Sequence, residues 1–238
     1  ADQLSDGDAT NGEADVVVLL VHEGAVDTTV AGATDPTTRF GKIVNGADAN
    51  IDVIVSGHTH LAYNHVINGR PVISSGQYGE KFSNMTIQVD PDTKQILSMN
   101  NVVNNMFTGA VANYADDATV SPIVASAVAN ARVLGGVQLG TVTADFNRAR
   151  QTSGAENRGA ESTLGNFVAD VQLWSANQDG FAQIAFMNPG GLRANIALGT
   201  DSGIVTYAEA AGVQPFANTL VTLDLTGAQV KKVLEQQW

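Results

Sequence analysis

Two short apolar runs, each ending in histidine, set the strongest limit on what this chain can fold into. Residues 14–22 read "ADVVVLLVH" and residues 51–60 read "IDVIVSGHTH". Both are short and rich in β-branched residues, which predicts strands rather than helices. Their hydrophobicity is continuous rather than alternating, which predicts cover on both faces, as in α/β layers. Ligands of such sheets bind outside the carboxyl ends of the strands, and His22, His58 and His60 fall there. Imidazole is the commonest nitrogen ligand for metals. A histidine after a strand is also a frequent structural hydrogen-bonder, so position alone leaves both roles open. The fourth histidine, His65, has no such setting and is expected at the surface.

Further strands are predicted at 69–76 and in a hairpin over 83–100, with Asp90-Pro91-Asp92 as its turn. A weaker helical or irregular connection is expected over 38–50. Residues 117–134 predict a capped amphipathic helix with apolar positions at 123, 124, 127, 128 and 131, closed by Gly135-Gly136. Composition changes after it. The expected division is therefore 1–107, a connector with a helix at 108–135, and a second domain at 136–238. In that domain "VQLGTVTADF" reads as strand. A helix follows with Leu164, Phe167, Val168, Val171 and Trp174 on one face. Then come a buried strand "AQIAFMN", a glycine-rich loop "PGGLRANI", a short helix in "TYAEAAGVQPF", a strand "NTLVTLDLTG" and a helix "AQVKKVLEQQW".

Charge narrows the function classes. With 24 acidic against 12 basic residues the net charge is −12, so a general binder of nucleic-acid backbone is not expected. Cysteine is absent, which excludes disulfides, thiolate metal sites and cysteine nucleophiles. No apolar run is long enough to span a membrane. The acidic stretch "DGDATNG" at 6–12 has the wrong spacing for a calcium loop and reads as a solvated loop.

The second domain carries its own polar set. Arg158 precedes the helix that starts near Glu161, and Asn188 and Arg193 flank Gly190 and Gly191. Glycines let backbone approach a ligand closely, and arginine offers a planar fork to phosphate or ribose oxygens. Phe216, after Gln214-Pro215, could stack on a base. Each also has a plain structural reading: a surface ion pair for Arg158 with Glu156 or Glu161, a turn for the glycines, core for Phe216. Asn166 and Asp170 read as packing and capping partners on one helix face.

Taken together, "ADVVVLLVHEGA" and "IDVIVSGHTHLAYNHVINGRPVISSGQYGEKFSNM" resemble the later half of a calcineurin-like metallophosphoesterase domain of the secreted 5′-nucleotidase family. That family includes UDP-sugar hydrolases and 2′,3′-cyclic-nucleotide phosphodiesterases. "NRGAESTLGNFVAD", "NPGGLRANI" and "VQPFANTLVTLDLTG" resemble its C-terminal substrate-binding domain. The resemblance implies an α/β chain: the later half of a metallophosphoesterase β-sandwich with flanking helices, a connector helix, then an α+β substrate-binding domain. It implies two divalent metal ions, Zn, Mn or similar. His22 and His58 would ligate one, and His60 would ligate or lie beside the other. It implies hydrolysis of nucleotides by metal-activated water, with Arg158, Asn188, Gly190, Gly191, Arg193 and Phe216 at the substrate.

The family's Asp-x-His, Gly-Asp and Asn-His-Glu motifs do not precede the first strand here. The expectation is therefore a chain truncated at both ends, with weak or absent metal occupancy and no catalytic residue of its own. The alternative is a non-catalytic nucleotide-binding module or an inert structural core. The expected partners are a nucleotide or nucleoside and either the missing N-terminal piece or a second copy. The expected place is extracellular, periplasmic or at the cell surface.

Overall fold

The computed structural model describes residues 1–8 and 10–236. The chain is α/β and divides into two compact units, Ala1–Asp116 and Asp117–Trp238.

In the first unit, β1 (Val18–Leu20) leads to α1 (Val30–Thr34) and α2 (Arg39–Gly46), then β2 (Val53–Val55), β3 (Ala62–Ile67) and β4 (Arg70–Ser75). These strands form one sheet in the order β1-β2-β4-β3. The β1–β2 and β2–β4 pairs are parallel and the β3–β4 pair antiparallel. Two short helices start where Thr29 and Thr38 accept the backbone N–H groups of Gly32 and Gly41, which supplies partners for otherwise orphaned donors. Phe40 and Val44 of α2 pack with Ile54, Tyr63 and Val72 to make the core. Asn68 and Gly69, at φ +53° and +78°, turn β3 into β4 in the conformation that matches strand twist.

The expectation of cover on both faces holds for β2 and fails for β1. Val18 is 49% and Leu20 78% exposed, because β1 is an edge strand with a single ladder partner. His65 is not a surface residue either. It lies half-buried in β3, stacked on Tyr63 with the rings 6° from parallel.

Next, β5 (Lys81–Val89) and β6 (Ile96–Asn105) form the predicted hairpin, closed where Asp90 accepts from Asp92 and Thr93. The strands β7 (Phe107–Thr108) and β8 (Val111–Ala112) make a small ribbon. The acidic loop near the N-terminus closes on itself, with Glu13 accepting from Gly7 and Asp6 from Asp8. One residue of that loop, Ala9, lies outside the described residues.

The second unit starts with α3 (Val120–Gly135), followed by β9 (Gln138–Thr141), α4 (Thr163–Asp179), β10 (Ile204–Thr206), α5 (Tyr207–Val213) and α6 (Gly227–Glu235). Asp117 caps α3 by accepting from Thr119 and Val120, and the Thr119 hydroxyl first of all holds its carboxyl below the usual range. Ser162 caps α4 by accepting from Gly165. A reciprocal box between Thr206 and Glu209 opens α5. The strands β9 and β10 pair antiparallel. Leu164, Val168, Leu192, Ile196 and Val213 form the core.

Three expectations are corrected here. The stretch 182–188 forms no ladder, and Ile184 and Phe186 are more than half exposed. The stretch 218–226 is likewise unpaired, with Val221 67% and Leu223 75% exposed. Both have strand-like composition, but neither meets a partner backbone. On α4 the apolar stripe is buried at Leu164 and Val168 and open at Val171 and Trp174. The end of the last predicted helix, Gln237 and Trp238, lies outside the described residues.

Candidate functional site

The histidine-bearing loops are joined by backbone. Val21 donates to Val55 at 2.9 Å, and Gly57 donates to Glu23 at 3.1 Å. The contact is close enough to require glycine. A β-carbon on Gly24 would stand 2.2 Å from the Gly57 carbonyl oxygen and 2.5 Å from Thr59 Oγ1. A buried polar chain supports both loops from below. Ser56 donates to the Ile73 carbonyl, its Oγ meets the Tyr63 hydroxyl at 2.6 Å, and that hydroxyl accepts from the Ala25 N–H. With Ser56 committed to Ile73, Tyr63 must donate to Ser56, so every proton in the chain has one acceptor.

This scaffold brings two of the three histidines together. His22 Nε2 and His58 Nδ1 are 3.1 Å apart, with one donating to the other. Both side chains are exposed at the strand ends. Two nitrogens bound to one Zn²⁺ at about 2.0–2.1 Å stand roughly 3.0–3.4 Å apart at ordinary coordination angles, so the separation matches a shared divalent ion, which the pair could ligate only after losing the proton between them. His60 takes a different neighbour: its ring meets Tyr78 edge-on at 5.4 Å. Both motif histidines have left-handed backbone, at φ +64° for His58 and +63° for His60. Among the described residues no group of three His, Asp or Glu side chains could hold one ion.

In the second unit a cleft of about 490 Å³ opens between α4, the 186–191 loop and the 214–221 stretch, a size typical of small-molecule sites. Asn188, Gly191 and Phe216 line it. The other candidates sit beside them. Arg193 donates its backbone N–H to Val213 and lays its guanidinium 5.6 Å from the centre of the Phe216 ring, a cation–π distance. Arg158 lies close to the loop at Gly190. A side chain at Gly190 would begin 3.6 Å from Arg158 Nη1 and 3.5 Å from Asn188 Nδ2.

Arg158 does pair with Glu156, at 3.4 Å. The pair is half exposed and so weakly held. Glu161 instead accepts from Asn166 at 2.7 Å, so Asn166 bonds outside its helix rather than to Asp170. Sequence reasoning missed Arg148, which reaches Glu156, Asn195 and the Leu192 carbonyl. It also missed Gln172, Met187 and Gln214 on the cleft wall. No local pattern marks these four, because the fold alone brings their segments together.

Among the described residues no helix is long and apolar enough to cross a membrane. Residues 138–238 match the family described as 5′-nucleotidase, C-terminal domain. The cell wall protein Lmo0130 of Listeria monocytogenes is 27% identical over 241 residues, 93% of this chain and 30% of that protein. The trifunctional nucleotide phosphoesterase protein YfkN of Bacillus subtilis is 48% identical over 79 residues, 33% of this chain and 5% of that protein. The chain thus spans less than a third of the length of these curated relatives. A crystal structure of a 5′-nucleotidase precursor from Thermus thermophilus superposes with a TM-score of 0.55 at 22% identity, covering 96% of this chain and 44% of the other, a likeness of fold. The polar cleft lies within the matched stretch, and residues 138–238 are a 5′-nucleotidase C-terminal domain.

Proposed function

We propose that the second unit binds a nucleotide or nucleoside, and that the chain serves a metal-dependent phosphoesterase acting on nucleotides. The observation that carries this reading is the convergence of Asn188, Gly191 and Phe216 on one cleft with Arg158 and Arg193 beside it. The aromatic ring suits a base face. The arginines suit ribose and phosphate oxygens. His22 and His58 are the residues that would hold a divalent cation, with His60 beside them. Such a cation supplies Lewis acidity and a hydroxide at neutral pH. The two imidazoles would fix its position, and the Tyr63–Ser56 chain would fix theirs. The relative named a cell wall protein supports a place outside the cytoplasm.

A second reading is binding without turnover, for which the cleft of the second unit suffices by itself. Phosphate release from adenosine 5′-monophosphate with Mn²⁺ or Zn²⁺, beside calorimetry with the same ligand, separates the readings. Turnover at an ordinary enzyme rate supports the first. Saturable heat without turnover supports the second. No heat at millimolar ligand removes both.

A further inference from the structure

Two glutamines in the cleft spend their donors on an unusual acceptor. Gln172 Nε2, from α4, and Gln214 Nε2, from the stretch after α5, each lie 3.4 Å from the sulfur of Met187. All three residues line the cleft with Asn188 and Phe216. A thioether sulfur is a weak acceptor, so both carboxamides are held in place at little cost to exchange. A carbonyl oxygen or ring nitrogen on a ligand is the stronger acceptor for each. The donors also come from two different segments, so an entering planar ring meets them from two directions.

We infer that Gln172 and Gln214 read the polar edge of a heterocyclic base in this cleft, exchanging the Met187 sulfur for acceptors on the ligand. The inference rests on the nucleotide reading above and adds the specificity-determining residues. Phe216 gives the base a face, the glutamines take its edge, and the Met187 sulfur is the weak resting acceptor that the base displaces. Ligands lacking a base forgo the exchange entirely.

The test is calorimetric titration of the 238-residue protein with adenosine and, in parallel, with ribose 5-phosphate, which has no base. Gln172→Leu and Gln214→Leu should each weaken adenosine by about 2–10-fold, the effect of one ordinary hydrogen bond, and leave ribose 5-phosphate unchanged. Met187→Leu, close in volume, should leave adenosine affinity equal or raised, because only the competing acceptor is removed. Unchanged adenosine affinity in both glutamine variants overturns the inference. So does an equal loss for both ligands, or a loss in Met187→Leu that matches the glutamine variants. If those failures occur while Phe216→Leu still weakens adenosine, the nucleotide reading stands without this addition. Absence of saturable heat from the wild type with adenosine at millimolar concentration overturns both.

Discussion

Gly24→Ala tests whether the interlocked loops control metal affinity. The new β-carbon would sit 2.2 Å from the Gly57 carbonyl oxygen and 2.5 Å from Thr59 Oγ1. Neither atom belongs to a long flexible side chain that could swing away. Relief therefore requires the 22–24 and 57–59 loops to separate by about an ångström, which takes the Glu23–Gly57 hydrogen bond beyond reach. Overpacking of this kind costs about 1–3 kcal/mol, and a unit of this size loses roughly 4–8 °C of Tm per kcal/mol. The same movement parts His22 from His58. Loss of support behind metal ligands lowers affinity by about 10–100-fold. Thermal unfolding followed by circular dichroism, and Zn²⁺ titration at neutral pH, read the two effects. Gly46→Ala is the control, since a β-carbon there meets open space. A Gly24→Ala protein with wild-type Tm would refute the steric argument. One that is destabilised but binds Zn²⁺ as tightly as the wild type would refute the link from loop to ligands.

Tyr63→Phe removes the acceptor of the Ala25 N–H and the donor to Ser56. It should cost about 1–3 kcal/mol because a buried donor is left unpaired, measured by urea unfolding. Phe40→Ala, at a site only 1% exposed, should cost about 3–5 kcal/mol in the same assay. Phe216→Leu should weaken adenosine while leaving stability within about 0.5 kcal/mol, as expected of an exposed position. Glu209 is held below the usual carboxylate range first by the Thr206 N–H and then by its hydroxyl. Its folded pKa is depressed, so its contribution to α5 is full above the unfolded value and fades as pH falls through the folded one. A carboxyl NMR titration should place its midpoint below that of the Thr206→Ala variant, where a coincident midpoint would contradict the cap.

Where a sequence signal was local it carried through. The hairpin turn at Asp90, the helix α5 and the strand ends bearing His22 and His58 all depend on neighbours within a few residues. The Asn68-Gly69 hairpin between β3 and β4 carried as clear a local signal, which the reading of 69–76 passed over. Longer-range features were less legible. Apolar, β-branched composition at 182–188 and 218–226 says what a segment could pair with, and not that a partner backbone is present. The same limit applies to β1, whose edge position depends on strand order. In the site, the glycine loop and Phe216 were visible as types. The meeting of Gln172, Met187 and Gln214 was not, because the three come from separate segments and none has a distinctive spacing.

The left-handed backbone at His58 and His60 sets folding and chemistry against each other. A residue with a β-carbon loses about 1–2 kcal/mol in that region relative to its ordinary conformations, and glycine escapes the loss. Backbone preference alone would put glycine at both positions. A screen for thermostable variants would therefore be drawn to replace both histidines, and on the function proposed above a winner at residue 58 would lose the imidazole that meets His22. In this protein a gain in melting temperature at residues 58 and 60 should be read as a warning about the site rather than as an improvement.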